Sequence, residues 1–101
     1  MMKLAGLEPQ WEEFDGVKFK LKPLTAPERL ECLEYSNIDK YSLMFKTACE
    51  FGVIDWDGVE DEKGPVAFSK DLLGRLPEST WMAIARKVLR LNDLGAEDQK
   101  N

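Results

Sequence analysis

The sequence predicts a small, mainly α-helical single domain that opens with one short β-hairpin. Three observations predict it. Asp15-Gly16 lies between two short runs of alternating polar and apolar residues, the pattern of a hairpin closed by a two-residue turn. Apolar residues then recur at helical spacing in later segments. Thr25 with Glu28, Gly52 and Pro77 stand where helices start or stop. The 101 residues are the size of one domain, and a 44% hydrophobic share is enough to build a core.

In chain order, residues 1–9 read as a flexible arm and 10–22 as the hairpin. Pairing across Asp15-Gly16 sets Phe14 opposite Val17 and Glu13 opposite Lys18, a favourable charge pair. Val17, Phe19 and Leu21 then share one face, and Lys18 and Lys20 the other. Residues 25–94 read as the helical part. Thr25-Ala26-Pro27-Glu28 has the spacing of a capping box, and the helix it starts runs to about Tyr35 with Leu30 and Leu33 turned inward. A second helix is expected over Ile38–Phe51, with Ile38, Tyr41, Met44, Phe45, Ala48 and Cys49 on its core face and Gly52 as its stop. Residues 55–64 form an acidic loop. Its flanks, Val53-Ile54 and Val66-Ala67-Phe68, pair as a short hairpin or remain irregular. Ser69 is the expected N-cap of a short helix from Lys70 to Leu76 that Pro77 ends. The last helix should run from Glu78 to about Leu94 on a stripe of Trp81, Ile84, Ala85, Val88 and Leu91, leaving 95–101 as a polar tail.

Charge narrows the function. The net charge is −5, and Asp55, Asp57, Glu60, Asp61 and Glu62 fall in one stretch without a Lys or Arg among them. A pI near 4.8 disfavours nucleic-acid binding and docking on anionic lipid. The start of the chain lacks the apolar run of a signal peptide, and no stretch approaches the ~20 apolar residues of a membrane span. Cys32 and Cys49, each within a predicted helix, read as buried free thiols of a reducing cytoplasm.

No cofactor, metal or catalytic constellation is legible. The chain has no His and no Cys-x-x-Cys, so a zinc site is not expected. Tested as a calcium loop from Asp55, the fifth, sixth and twelfth positions are Val59, Glu60 and Val66, where an oxygen ligand, Gly and Glu are required. No serine has a nucleophile elbow around it. The chemistry left is protein binding. The apolar face of the last helix is widened by Met82 and Leu89, two turns apart, with Arg86 and Arg90 as a charged rim. Trp11 on the hairpin and Trp56 in the acidic segment are further anchor candidates, since tryptophan is enriched at interfaces.

A hairpin leads into Leu21-Lys22-Pro23-Leu24-Thr25-Ala26-Pro27-Glu28-Arg29-Leu30-Glu31. Ile54-Asp55-Trp56-Asp57-Gly58 follows, then Gly64-Pro65-Val66-Ala67-Phe68-Ser69, then Leu91-Asn92-Asp93-Leu94 and a charged tail ending Lys100-Asn101. This order, over most of residues 11–101, resembles the tail assembly chaperones and similar small tail-region proteins of long-tailed bacteriophages. The resemblance implies a non-catalytic, mainly helical protein of the infected host's cytoplasm. It implies binding to the tape measure protein, whose long apolar helix it would keep in solution, and to tail tube subunits. It also implies self-association along the client and absence from the finished virion. A chain ending at Asn101 would be the short form where a longer frameshifted product is also made. The rival readings are a structural virion component, such as a tail or head completion protein, and an acidic protein-binding regulator.

Overall fold

The hairpin forms as its turn chemistry requires. A computed structural model describes Met2 and residues 8–100, with side chains described as far as Leu91. Strands β1 (Gln10–Phe14) and β2 (Val17–Leu21) pair antiparallel with Glu13 opposite Lys18 and Phe14 opposite Val17. Asp15 and Gly16 both take positive φ, 52° and 79°, the type I′ turn whose twist matches that of the strands. Phe19 and Leu21 are fully buried. The arm expected over residues 1–9 falls mainly on residues 1 and 3–7, which lie outside the described residues.

The domain is not mainly helical. It combines helices with a three-stranded antiparallel sheet of order β1-β2-β3, in which β3 (Val53–Asp57) joins the free side of β2. A lone hairpin is marginal in water, and β3 supplies the third strand. The sequence hid this strand because its alternation is broken. Val53 and Trp56 are three residues apart, so a regular strand would turn them to opposite faces. A bulge corrects the phase: Lys20 faces Asp55, Leu21 faces Val53, and Ile54 is passed over. Val53 and Trp56 are thereby both buried, and Asp55 and Asp57 are both exposed. Of the two readings open for the flanks of the acidic loop, pairing with each other does not occur. Val53-Ile54 belong to β3, and a separate two-residue hairpin, β4 (Glu60–Asp61) with β5 (Gly64–Pro65), holds the acidic tip.

The helices follow their caps. α1 (Ala26–Asn37) starts in the predicted capping box: the Glu28 N–H donates to Thr25 Oγ1 at 3.3 Å, and the Thr25 N–H donates to Glu28 Oε1 at 2.8 Å. α2 spans Tyr41–Gly52, three residues later than expected at its start, because Asp39 at φ 58° and Ile38 as the C-cap of α1 form the connection. The segment Lys70–Arg75 is a 3-10 helix, and Ser69 makes no side-chain cap bond. α3 spans Glu78–Lys100. It runs past the expected end at Leu94 because Gly95 costs only about 1 kcal/mol in a helix and Ala96, Glu97, Gln99 and Lys100 favour one. The expected polar tail is therefore helical to Lys100, and Asn101 lies outside the described residues.

The core joins the inner face of the sheet (Phe19, Leu21, Val53, Trp56) to Ala48 and Cys49 of α2 and to Ile84, Ala85 and Val88 of α3. Gly52 is more than a helix stop. A Cβ placed there would lie 2.5 Å from both methyls of Val88, so its hydrogen is what lets α3 approach. Thr80 Oγ1 donates to Asp15 Oδ2 at 2.7 Å and fastens the start of α3 to the hairpin turn.

Candidate functional site

The sequence-predicted binding residues do not gather into one surface. Trp56 is 6% exposed and belongs to the core. Its ring meets Phe19 and Phe68 edge-on, at centroid distances of 6.4 and 5.1 Å. Its indole N–H donates to the Val66 carbonyl at 2.8 Å. It therefore holds the segment after β5 against the sheet and is not free to anchor a partner. Leu89 is half-buried and packs against the core cluster. Met82 is half-buried in a groove it lines with Trp81, Lys46 and Leu73. Arg86 and Arg90 are exposed on α3, and Trp11 is 46% exposed on β1 with the Lys20 ammonium 5.9 Å from its ring centre.

A larger apolar surface lies where the sequence placed core. Leu30 and Leu33, expected inward, are 61% and 45% exposed. Ile38 and Tyr41, expected on the core stripe of α2, are 60% and 50% exposed. The reason is that α1 buries a different stripe. Cys32 is its buried residue, and Glu28 and Tyr35, one turn to either side, are half-buried. Residues at this spacing share a helix face, and Leu30 and Leu33 lie off it. The signal available in the sequence was Cys32 itself, since free cysteine is among the most buried residue types. Leu30 and Leu33 thus form an exposed pair on α1, and Ile38 and Tyr41 stand at the tip of the α1–α2 hairpin. Glu31, Glu34 and Asp39 are exposed between them. The exposed cations beside these residues are Arg29, one turn before Leu33, and Lys40 at the tip.

The ionisable groups with displaced pKa values have structural explanations. Burial disfavours the Glu28 carboxylate, but the hydrogen bond from Lys22, that from the Thr25 N–H and the Lys22 charge outweigh it, so the carboxyl titrates below its ordinary value. The Lys22–Glu28 contact is 2.8 Å. Burial, reinforced by the Glu50 charge, pushes the Cys49 thiol up to about 12, and burial raises Cys32 as well. Thiols held neutral in this way are poor nucleophiles and poor metal ligands. Both are free. Among the described residues, no three of Asp, Glu and Cys converge as a metal site, and no helix is long and apolar enough to cross a membrane.

The acidic segment is dispersed by the fold. Asp55 and Asp57 stand in register opposite Lys20 and Lys18 on the outer face of the sheet. Glu60 and Asp61 form β4, and the Lys63 N–H donates to Asp61 Oδ1 at 2.7 Å in the turn. The segment is thus two groups of acids, one balanced by lysines and one at an exposed tip. Comparisons with protein-family models, curated proteins and solved structures find no match.

Proposed function

We propose that this protein is a non-catalytic chaperone of phage tail assembly, acting in the host cytoplasm by covering apolar helical surface of a client. The observation that carries the reading is the exposed apolar surface of the α1–α2 hairpin, Leu30, Leu33, Ile38 and Tyr41. Large apolar side chains left exposed together on one helical hairpin in this way mark an interaction site. The exposed acids beside it, Glu31, Glu34 and Asp39, outnumber the exposed cations Arg29 and Lys40 and favour an amphipathic helix that carries lysine or arginine beside its apolar stripe. The resemblance supplies the identity of the clients, the tape measure protein and the tail tube subunit.

The magnitudes suit weak binding by many copies. Full burial of a large apolar side chain is worth about 1.5–3 kcal/mol, and these four are roughly half exposed, so each has about 1 kcal/mol left to gain. The sum, about 4–6 kcal/mol before ordering costs, corresponds to an affinity between about millimolar and tens of micromolar at best for a single contact. Several copies on one long client would gain by avidity what each lacks, which is the reason to expect self-association on the client. The exposed Arg86 and Arg90 of α3 offer such copies a basic contact for a neighbour's acids.

Co-expression with a fragment of a tape measure protein tests the reading. The unaltered chain should keep the fragment in the supernatant, and Leu30→Asp with Leu33→Asp should lose it while the variant itself stays folded. Retention of the fragment by the folded double variant would overturn the proposal. Leu89→Asp is a different perturbation: Leu89 packs on the core, so that variant should lose stability before it loses a partner.

A further inference from the structure

The geometry points to a second docking element, the outer edge of β1, which would take up an extended segment with lysine or arginine beside apolar residues as a fourth strand of the sheet. Phe14 and Val17 flank a two-residue type I′ turn, so they form the hydrogen-bonded pair next to it. Alternation then directs the main-chain N–H and C=O groups of Gln10, Glu12 and Phe14 toward β2. Those of Trp11 and Glu13 point away, to the open side. The same phase directs Lys18 and Lys20 toward β3 and sends the main chain of Trp56 to the far edge.

The two edges of the sheet are then unlike. At the β3 edge, the outward Trp56 N–H is taken by the Asp55 carboxylate at 2.8 Å, and Asp55 and Asp57 add charge along the strand. That edge is blocked in the way natural sheets block pairing. Among the described residues, no strand lies beyond β1, and Trp11 and Glu13 are both exposed. Trp11, half-exposed against Lys20, offers an apolar wall beside the open main chain.

Charge decides the occupant. A second copy pairing through β1 has three registers. One sets Glu12 opposite Glu12 and another sets Glu13 opposite Glu13, both repulsive. The third, centred on Trp11, sets Glu13 opposite Pro9, which has no N–H to give. A foreign strand with cations escapes all three. It would meet Glu13, its cross-strand neighbour on the outer face, and lay an apolar side chain on Trp11. This inference is independent of the helical client of the α1–α2 hairpin.

An acetylated and amidated Thr-Lys-Thr-Val-Thr peptide, whose Lys and Val share the face that meets Glu13 and Trp11, titrated into isotopically labelled full-length protein, is the test. The main-chain amides of Trp11 and Glu13 should shift and gain at least tenfold protection from hydrogen exchange, while Trp56 is unaffected. The same peptide N-methylated on alternate residues, and a Thr-Glu-Thr-Val-Thr peptide, should give neither effect. Glu13→Pro should leave the fold intact, because that N–H serves no ladder bond, and should abolish the response. Leu30→Asp with Leu33→Asp should leave it unchanged, so a failed helical-client reading and a failed edge reading are separable. Absence of protection at Trp11 and Glu13 at millimolar peptide, or equal protection by the N-methylated peptide, would overturn the inference.

Discussion

Replacing Gly52 by alanine should destabilise the protein, although alanine is the better helix former. Gly52 ends α2 with an ordinary φ, so no backbone strain opposes the substitution. The conflict is steric. The new Cβ would stand 2.5 Å from both Cγ atoms of Val88 and 3.0 Å from its Cβ, where carbon pairs settle at ~3.5–4.0 Å. Val88 is fully buried in the core and cannot swing aside. Overpacking of this kind costs about 1–3 kcal/mol, against a helix-propensity gain of at most about 1 kcal/mol. The expected net loss is about 1–2 kcal/mol. Val88→Ala alone should cost about 2 kcal/mol, from the two lost methyls and the cavity they leave. In the double variant the alanine methyl at 52 enters that cavity, so it should be at least as stable as Val88→Ala. Urea unfolding followed by tryptophan fluorescence would yield the four stabilities of the cycle. A coupling below about 0.5 kcal/mol, or a Gly52→Ala variant more stable than the parent, would refute the reasoning.

Four further outcomes are expected. Thr25→Ala should lower stability by about 1 kcal/mol in thermal or urea melts, through loss of the α1 cap. Glu28 titrates below its ordinary 4.5, so its contribution is present above that pH and fades as pH falls through the lowered value. The stability gap between the parent and Glu28→Gln should therefore narrow in acid, and a gap that is constant from neutral pH to about pH 3 would contradict the Lys22 pairing. Cys32 and Cys49 should resist iodoacetamide in the native state at about pH 8 and react once the chain is unfolded, as mass spectrometry would record. Trp56→Phe removes one ring of the buried indole and leaves the Val66 carbonyl without its donor, and in urea melts should cost at least about 1 kcal/mol.

Local signals were legible in the sequence where one interaction decides the outcome. Asp15-Gly16 fixed both the turn and the β1–β2 register, and Thr25 with Glu28 fixed the start of α1. The third strand was not, because its phase depends on a bulge opposite Lys20 and Leu21, and a bulge is a property of the pair, not of either strand. That omission made the fold look mainly helical. The α1 face was misread for a related reason. Leu30 and Leu33 carry more apolar area than Cys32, but which stripe is covered depends on how α2 and the capping box orient the helix, and Glu28 is held inward by Lys22. Trp56 was read as a surface anchor because acids surround it in sequence. In the fold they stand on the opposite face of β3, and the ring lies in the core.

A titration followed residue by residue would show whether the α1–α2 hairpin surface holds the client. The probe is a synthetic amphipathic helix with a leucine stripe flanked by lysines, added to labelled protein at low salt. The largest chemical-shift changes should fall on Leu30, Leu33, Ile38 and Tyr41, with Glu31 and Glu34 next, and should disappear in the folded Leu30→Asp, Leu33→Asp variant. Binding that leaves those residues unshifted, or that persists in the folded variant, would contradict the claim that this surface holds the client.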